Sequence, residues 1–362
     1  MKAIAFYLPQ FHAIKENDEW WGEGFTEWSN TKKTKPLFNN HNQPREPLND
    51  NYYNLLDIDT HRWQSKLMKE YGVYGLCYYH YWFNGKLLLE KPMEILLDNK
   101  DIDTKFCISW ANEPWTRSWD GKNKEVLIDQ NYGDKEDWEK HFNYLLKFFN
   151  DSRYIKINNR PLFVIYRANN IFNAEEMFLF WDYLAKKNGF EGIHLVETLN
   201  SFQLSPCLKQ SKGVIEFEPM FTLSKDVSVY YKGLRKIKNI FGMTQKFNYD
   251  YVWNKILNRN SSYNDKSKIS GAFVDWDNTP RKGKKGTICL GASPIKFKNY
   301  LEKLHEKNKN EGSSEFIFIN AWNEWAEGTY LEPDKKNRYE YLDGIKEVFK
   351  LEKQDHKEED IW

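Results

Sequence analysis

Eight short apolar runs, rich in β-branched and aromatic residues, alternate along the chain with helix-patterned stretches, and this alternation narrows the fold more than any other feature. The runs are Lys2 to Tyr7, Tyr74 to His80, Lys105 to Trp110, Pro161 to Tyr166, Ile193 to Thr198, Val214 to Glu218, Ala272 to Trp276 and Glu315 to Ala321. Amphipathic stretches stand between them, among them Asp59 to Tyr71, Lys135 to Phe149, Ala174 to Asn188, Ser293 to Lys307 and Tyr339 to Glu352. Asp134 before KEDWEKHF and Gly189 after WDYLAKKN predict helix ends at those positions. Such units predict an α/β fold, a (β/α)8 TIM barrel, as a single domain over residues 1–352, with 353–362 as a frayed, solvated tail. Two segments break the rhythm. Pro9 to Asn54 predicts a long first βα loop; Phe221 to Ser270 predicts an insertion between strands six and seven, with its own helix around Val252 to Asn258, covering the site. A doubly wound open sheet is the alternative, disfavoured because the first strand is followed by no GxGxxG turn and the chain has no P-loop.

Lys and Arg number 53 against 52 Asp and Glu, a net charge of +1, so neither nucleic acid nor an acidic membrane is expected as partner. Aromatic residues make up 17% of the chain and include 15 Trp, against a hydrophobic total of 40%. Core filling accounts for about two thirds of such rings. The remainder suit the apolar C–H face of a sugar. Cys77, Cys107, Cys207 and Cys289 form no close pair, and neither a disulfide framework nor a zinc site is expected. The N-terminal MKAIAFYLPQFH enters a strand at once and no apolar run reaches membrane-spanning length, which predicts a cytoplasmic location.

In a barrel the chemistry gathers at the C-terminal ends of the strands, and polar or aromatic residues follow every run here. Candidate substrate-binding residues are His80 and Trp82 after strand two, and Trp110, Asn112, Glu113, Trp115 and Arg117 after strand three. Glu218 follows strand six, Asp275 and Asn278 strand seven, and Trp322 and Asn323 strand eight. Any one of these could instead cap a helix or close a turn. The most informative stretch is WNEWAEGTYLEPD, where Glu324 and Glu327 lie three residues apart after an apolar strand. Burial and like charge would raise one pKa, leaving one carboxyl protonated as a general acid and the other ionised, the pair that glycoside cleavage needs. Two carboxylates from one short loop approach adjacent atoms more naturally than opposite faces of a sugar, so ordinary double displacement by this pair alone is not expected. The competing reading makes one of them an acid at the start of the last helix.

Through AFYLPQFH, WWGEGFTEW, WANEPWTRSWDG, DWDNTPR and NAWNEWAEGTYLEPD the chain resembles the WbsX-type proteins, named as glycosyltransferases of surface-polysaccharide gene clusters. On the NEWxEGT stretch it is similar to glycoside hydrolase family 99, the endo-α-mannosidases. That resemblance implies that Glu324 acts on a sugar 2-hydroxyl, giving a 1,2-anhydro sugar, and that Glu327 is the general acid/base. The partner so implied is an oligosaccharide or polysaccharide, with no cofactor and no metal; oligomeric state stays open.

A transferase reading has its own feature, the DxD triplet Asp275 to Asp277, but Asp57 to Asp59 and Asp101 to Asp103 match as well, and no phosphate-cradling glycine loop is present. A metal hydrolase would want paired histidines, and the 8 here are scattered without HxH or HExxH. A non-catalytic sugar-binding barrel would keep the aromatic mouth and use the acids as acceptors.

Overall fold

The structure is a computed structural model that describes residues 1–350 apart from 118–121, 229–232, 234–237 and 239. The eight barrel strands are β1 (Lys2–Tyr7), β2 (Gly75–Phe83), β3 (Lys105–Trp110), β4 (Arg160–Ile165), β5 (His194–Leu199), β6 (Gly213–Glu216), β7 (Ser267–Phe273) and β8 (Phe316–Asn320). Each pairs in parallel with the next, and β1 closes the ring, setting Ala5 beside Ile319 of β8 on one side and Leu76 of β2 on the other. Every expected run is therefore a barrel strand. The boundaries move by a few residues: β2 runs on to Phe83 and folds back as a hairpin through Lys86–Leu88, and β7 begins before the expected Ala272.

Helices α1 (Lys15–Trp21) and α2 (Glu27–Lys33) fold within the first loop, ahead of α3 (Ile58–Tyr71). The outer ring continues with α4 (Lys91–Asp98), α5 (Lys135–Phe149) and α6 (Ala174–Lys187). As the sequence signals imply, the Asp134 carboxylate accepts the Glu136 backbone N–H at the start of α5, and Gly189, at φ +87, follows the end of α6. Between β5 and β6 the chain crosses without a helix.

The insertion expected between strands six and seven carries the expected helix of its own. That helix packs on the barrel wall and does not line the mouth; part of the stretch expected to cover the site lies outside the described residues. After α7 (Met220–Lys225), the described part of this stretch forms α8 (Tyr249–Asn258), a member of the outer ring. Its Trp253 is fully buried, 5.4 Å from the ring of Phe273 on β7 and 5.5 Å from Tyr300 on α10 (Pro294–Asn310). An apolar face that large gains more by packing on the barrel than by lying over a wet mouth. Thr279–Lys282 forms the single turn α9, and α11 (Glu340–Lys350) closes the ring; the expected tail lies outside the described residues.

The barrel interior is aromatic. Phe6 of β1 meets Tyr79 of β2, Phe217 beyond β6 and Phe318 of β8 at centroid distances of 5.7, 5.0 and 5.4 Å. These rings fill the barrel and end in the floor of a cavity at the C-terminal mouth, which Tyr79, Tyr166 and Phe217 line.

Candidate active site

Beyond β8 the chain makes a tight device from the WNEWAEGTY residues. Asn323–Glu324 pairs antiparallel with Thr329–Tyr330, and Trp325–Glu327 forms a single 3-10 turn between them. Gly328 closes the turn at φ +65, where a Cβ would lie 3.0 Å from Arg45 and Asp277. The turn stands on Glu332, whose buried carboxylate accepts hydrogen bonds from Trp322 Nε1 (2.9 Å), Trp325 Nε1 (2.8 Å), Gln64 Nε2 (2.7 Å) and Tyr53 OH (2.8 Å). Asn323 grips the end of β1, accepting from Leu8 N at 2.8 Å and donating to Leu8 O at 3.0 Å. Trp322 and Asn323 thus hold the turn in place and do not line the cavity.

The loop after β7 is tied to the same turn. The Asp277 backbone N–H donates to Glu327 O at 2.7 Å, and the Asp277 carboxylate accepts from Thr279, His41 and Gln43. This starts α9, from which Arg281 reaches across the mouth. Its Nη1 lies 2.8 Å from Glu327 and its Nη2 2.8 Å from Glu324, so one guanidinium joins the two carboxylates side by side. Nη2 also meets Glu27 of α2, fully buried, at 2.5 Å.

The cavity measures about 280 Å³. Glu324, Glu327 and Arg281 form one wall; across the ring stand Glu113 and Trp115 after β3 and Phe202 after β5. Glu113 pairs with Arg167, whose guanidinium lies 3.4 Å over the Phe202 ring. Burial pushes Glu324 up to about 8, opposed by Arg281 and reinforced by the charges of Glu327 and Glu27. Burial also raises Glu113, with Arg167 opposing.

Of the residues expected to bind substrate, Glu113, Trp115 and Asn278 line this cavity together with Glu324 and Glu327. Others do not. Strand β2 presents Tyr79 and Tyr81 inward, so by the period of two His80 and Trp82 face the helices: His80 Nε2 lies 2.9 Å from His141 Nε2, and Trp82 stacks on His141 at 4.5 Å. Burial holds His80 down at about 3, neutral and away from the mouth. Trp110 also faces outward, edge-on to His141 at 4.7 Å. Asn112 straps β3 to β4 by accepting from Arg167 N and donating to Arg167 O, both at 2.8 Å. Arg117 lies 3.5 Å from Glu125, beside residues outside the description, and is absent from the cavity lining. Glu218 pairs with Arg259 at 2.8 Å, and Asp275 with Arg45 at 2.8 Å, each satisfied inside the protein. Both outer carboxylates of the DxD triplet are therefore engaged by protein donors.

Tyr81, which follows strand two beside His80, lines the cavity, as do Tyr79, Tyr166, Phe202, Trp276 and Arg281, none of which was expected to bind substrate. Strand parity carried a signal for the first two: one residue's shift exchanges His80 for Tyr79 and Tyr81. Arg281 was visible only as the last residue of DWDNTPR, and Glu27 only as the second acid of WWGEGFTEW in the first loop.

The sequence profile of the family described as Glycosyltransferase WbsX matches residues 3–345. The uncharacterized protein WxcX of Xanthomonas campestris pv. campestris strain B100 is 35% identical over 347 residues, 95% of this chain and 49% of that protein. Its counterpart in strain ATCC 33913 is 35% identical over 350 residues, with the same shares of each chain. The chain thus spans about half the length of the curated relatives it matches. Among solved structures, the GH99 endo-alpha-mannosidase from Bacteroides thetaiotaomicron in complex with bis-tris propane is similar with a TM-score of 0.58 at 15% identity, covering 98% of both chains. A glycoside hydrolase-like protein gives 0.59 at 13% identity, covering 96% of this chain and 93% of that one. Both likenesses are of fold.

Proposed function

The chain belongs to the WbsX glycosyltransferase family, and from that premise we propose that this carbohydrate-active barrel breaks a glycosidic bond with Glu324 and Glu327, on a surface polysaccharide or a related oligosaccharide. The observation that carries the reading is the single guanidinium holding both carboxylates on one wall of an aromatic-floored cavity. Carboxylates so close act on adjacent atoms. Glu324 takes the proton of the sugar 2-hydroxyl as that oxygen bonds to the anomeric carbon; the bond to the leaving oxygen breaks, and Glu327 protonates it. Water then opens the three-membered ring at the anomeric carbon, giving its proton to Glu327 while Glu324 returns its own to O2. An acceptor hydroxyl in place of water makes the same sequence a transfer, the reading that the family's description favours.

Once its own proton is lost, a carboxylate that titrates at about 8 is a stronger base than an ordinary one, which suits removal of a hydroxyl proton. Burial thus gives Glu324 the raised titration expected of an acid, and the resemblance gives Glu327 the acid's role. Substitution separates them. Glu327→Gln and Glu324→Gln should each abolish cleavage while folding normally. An aryl glycoside whose phenol departs unprotonated should partly rescue only Glu327→Gln, because the lost proton transfer, worth about 10²- to 10⁴-fold, is not needed in that step. Equal rescue of both, or full activity in either, overturns the assignment.

A further inference from the structure

Arg281 does not serve the two turn glutamates alone. Its Nε and Nη2 also meet Glu27 Oε1, at 3.1 and 2.5 Å, and Glu27 is fully buried on α2 and does not line the cavity. Three carboxylates therefore share one guanidinium in a place where water screens little. Around them stand the hydroxyls of Tyr79, Tyr81 and Tyr166, Glu113 across the cavity with its partner Arg167, and Lys282, exposed at the rim. One cation against three acids leaves a surplus of negative charge, and burial makes that surplus expensive unless a proton is retained.

We propose that Glu27 and Arg281 are positioning residues that set the electrostatic field at the catalytic turn, Arg281 joining its two carboxylates and Glu27 fixing the guanidinium and opposing its field at Glu324. The inference rests on the reading of Glu324 and Glu327 as the reacting pair. The causes acting on Glu324 agree with it: Arg281 lowers its titration while Glu327 and Glu27 raise it. Glu27 is itself raised by burial and held back chiefly by Arg281. Glu27 belongs to the first βα loop, so that loop acts on the charge around a turn at the far end of the chain without lining the cavity.

The test needs no substrate. Protein labelled with [δ-¹³C]glutamate is titrated by NMR, Glu324 and Glu327 being assigned from the signals lost in Glu324→Gln and Glu327→Gln. Arg281→Gln should move the Glu324 transition up, and Glu27→Gln should move it down, each by about 1–3 units, the usual effect of a charge within contact distance. Arg281→Lys, which keeps the charge but not the fork, should move it up by less, and it carries the upward arm if Arg281→Gln fails to fold. A merely structural role for Glu27 and Arg281 would disturb the site without shifts of opposite sign. Shifts in the same direction, or none, overturn the inference. Opposite shifts in a protein that cleaves no glycoside uphold it and sink the proposed reaction instead.

Discussion

Glu324 shows how burial of one carboxyl makes stability depend on pH. Its titration lies at about 8 in the folded chain against an ordinary 4.5, because burial penalises the ionised form. The folded state therefore binds the proton more tightly than the unfolded state. Its contribution to stability is complete below the unfolded value and is lost as pH rises through the folded one. Wild-type protein should accordingly lose Tm between pH 5 and pH 8.5, and Glu324→Gln should lose less, ending more stable than wild type at the alkaline end by on the order of a few kcal/mol. Parallel Tm curves for the two proteins would show that Glu324 is not held protonated. Burial raises Glu332 too, to about 7, but there four donors from Trp322, Trp325, Gln64 and Tyr53 oppose the rise, surround the carboxylate and fasten the turn above it.

Among the elements, β2 separates packing from chemistry by parity alone. Tyr79 and Tyr81 line the cavity, whereas Trp82 stacks on His141 of α5. Trp82→Ala should cost about 3–5 kcal/mol of stability, the usual loss for a buried Trp, and leave carbohydrate binding intact in protein that remains folded. Trp115→Ala, on the cavity wall and buried against Tyr81 and Phe83, should lower stability by a similar amount but, unlike Trp82→Ala, also lose the tryptophan quenching expected from a bound saccharide in protein that remains folded. Fluorescence titration of the folded variants distinguishes the two residues, and the same binding phenotype in both would undo the inside-outside assignment. The helix α8 teaches a related lesson, since an amphipathic stretch in a long connection became outer packing once Trp253 had a barrel face to bury against.

At the scale of the whole molecule, ring closure puts demands on the chain that no local propensity explains. Gly271 on β7 lies where an added Cβ would come 1.8 Å from the carbonyl oxygen of Glu216 on β6, so the wall closes there only with glycine. Gly271→Val should cost more than about 4 kcal/mol or prevent folding, visible as loss of the cooperative urea transition. A variant as stable as wild type would mean that β6 and β7 are not packed as described. Closure also brings Glu27 of the first loop, Arg281 after β7 and Glu324 after β8 to one point.

The eight strands, the ends of α5 and α6, and the placing of Glu324 and Glu327 at the mouth beyond β8 were legible along the chain, because apolar periodicity, capping chemistry and two acids beside a strand end are local signals. The set of residues facing the cavity was only partly legible. His80, Trp82 and Trp110 have the chemistry of sugar contacts, and strand parity with the packing of α5 turns them away. Trp322 and Asn323 have it too, and the Glu332 carboxylate and the Leu8 backbone claim them. Arg281 and Glu27 gave no comparable signal, since their meaning arises from a meeting across 254 positions of sequence. Periodicity and capping act over a few residues and can be read in order; the partner of a buried charge is chosen by barrel closure, which depends on the whole chain at once.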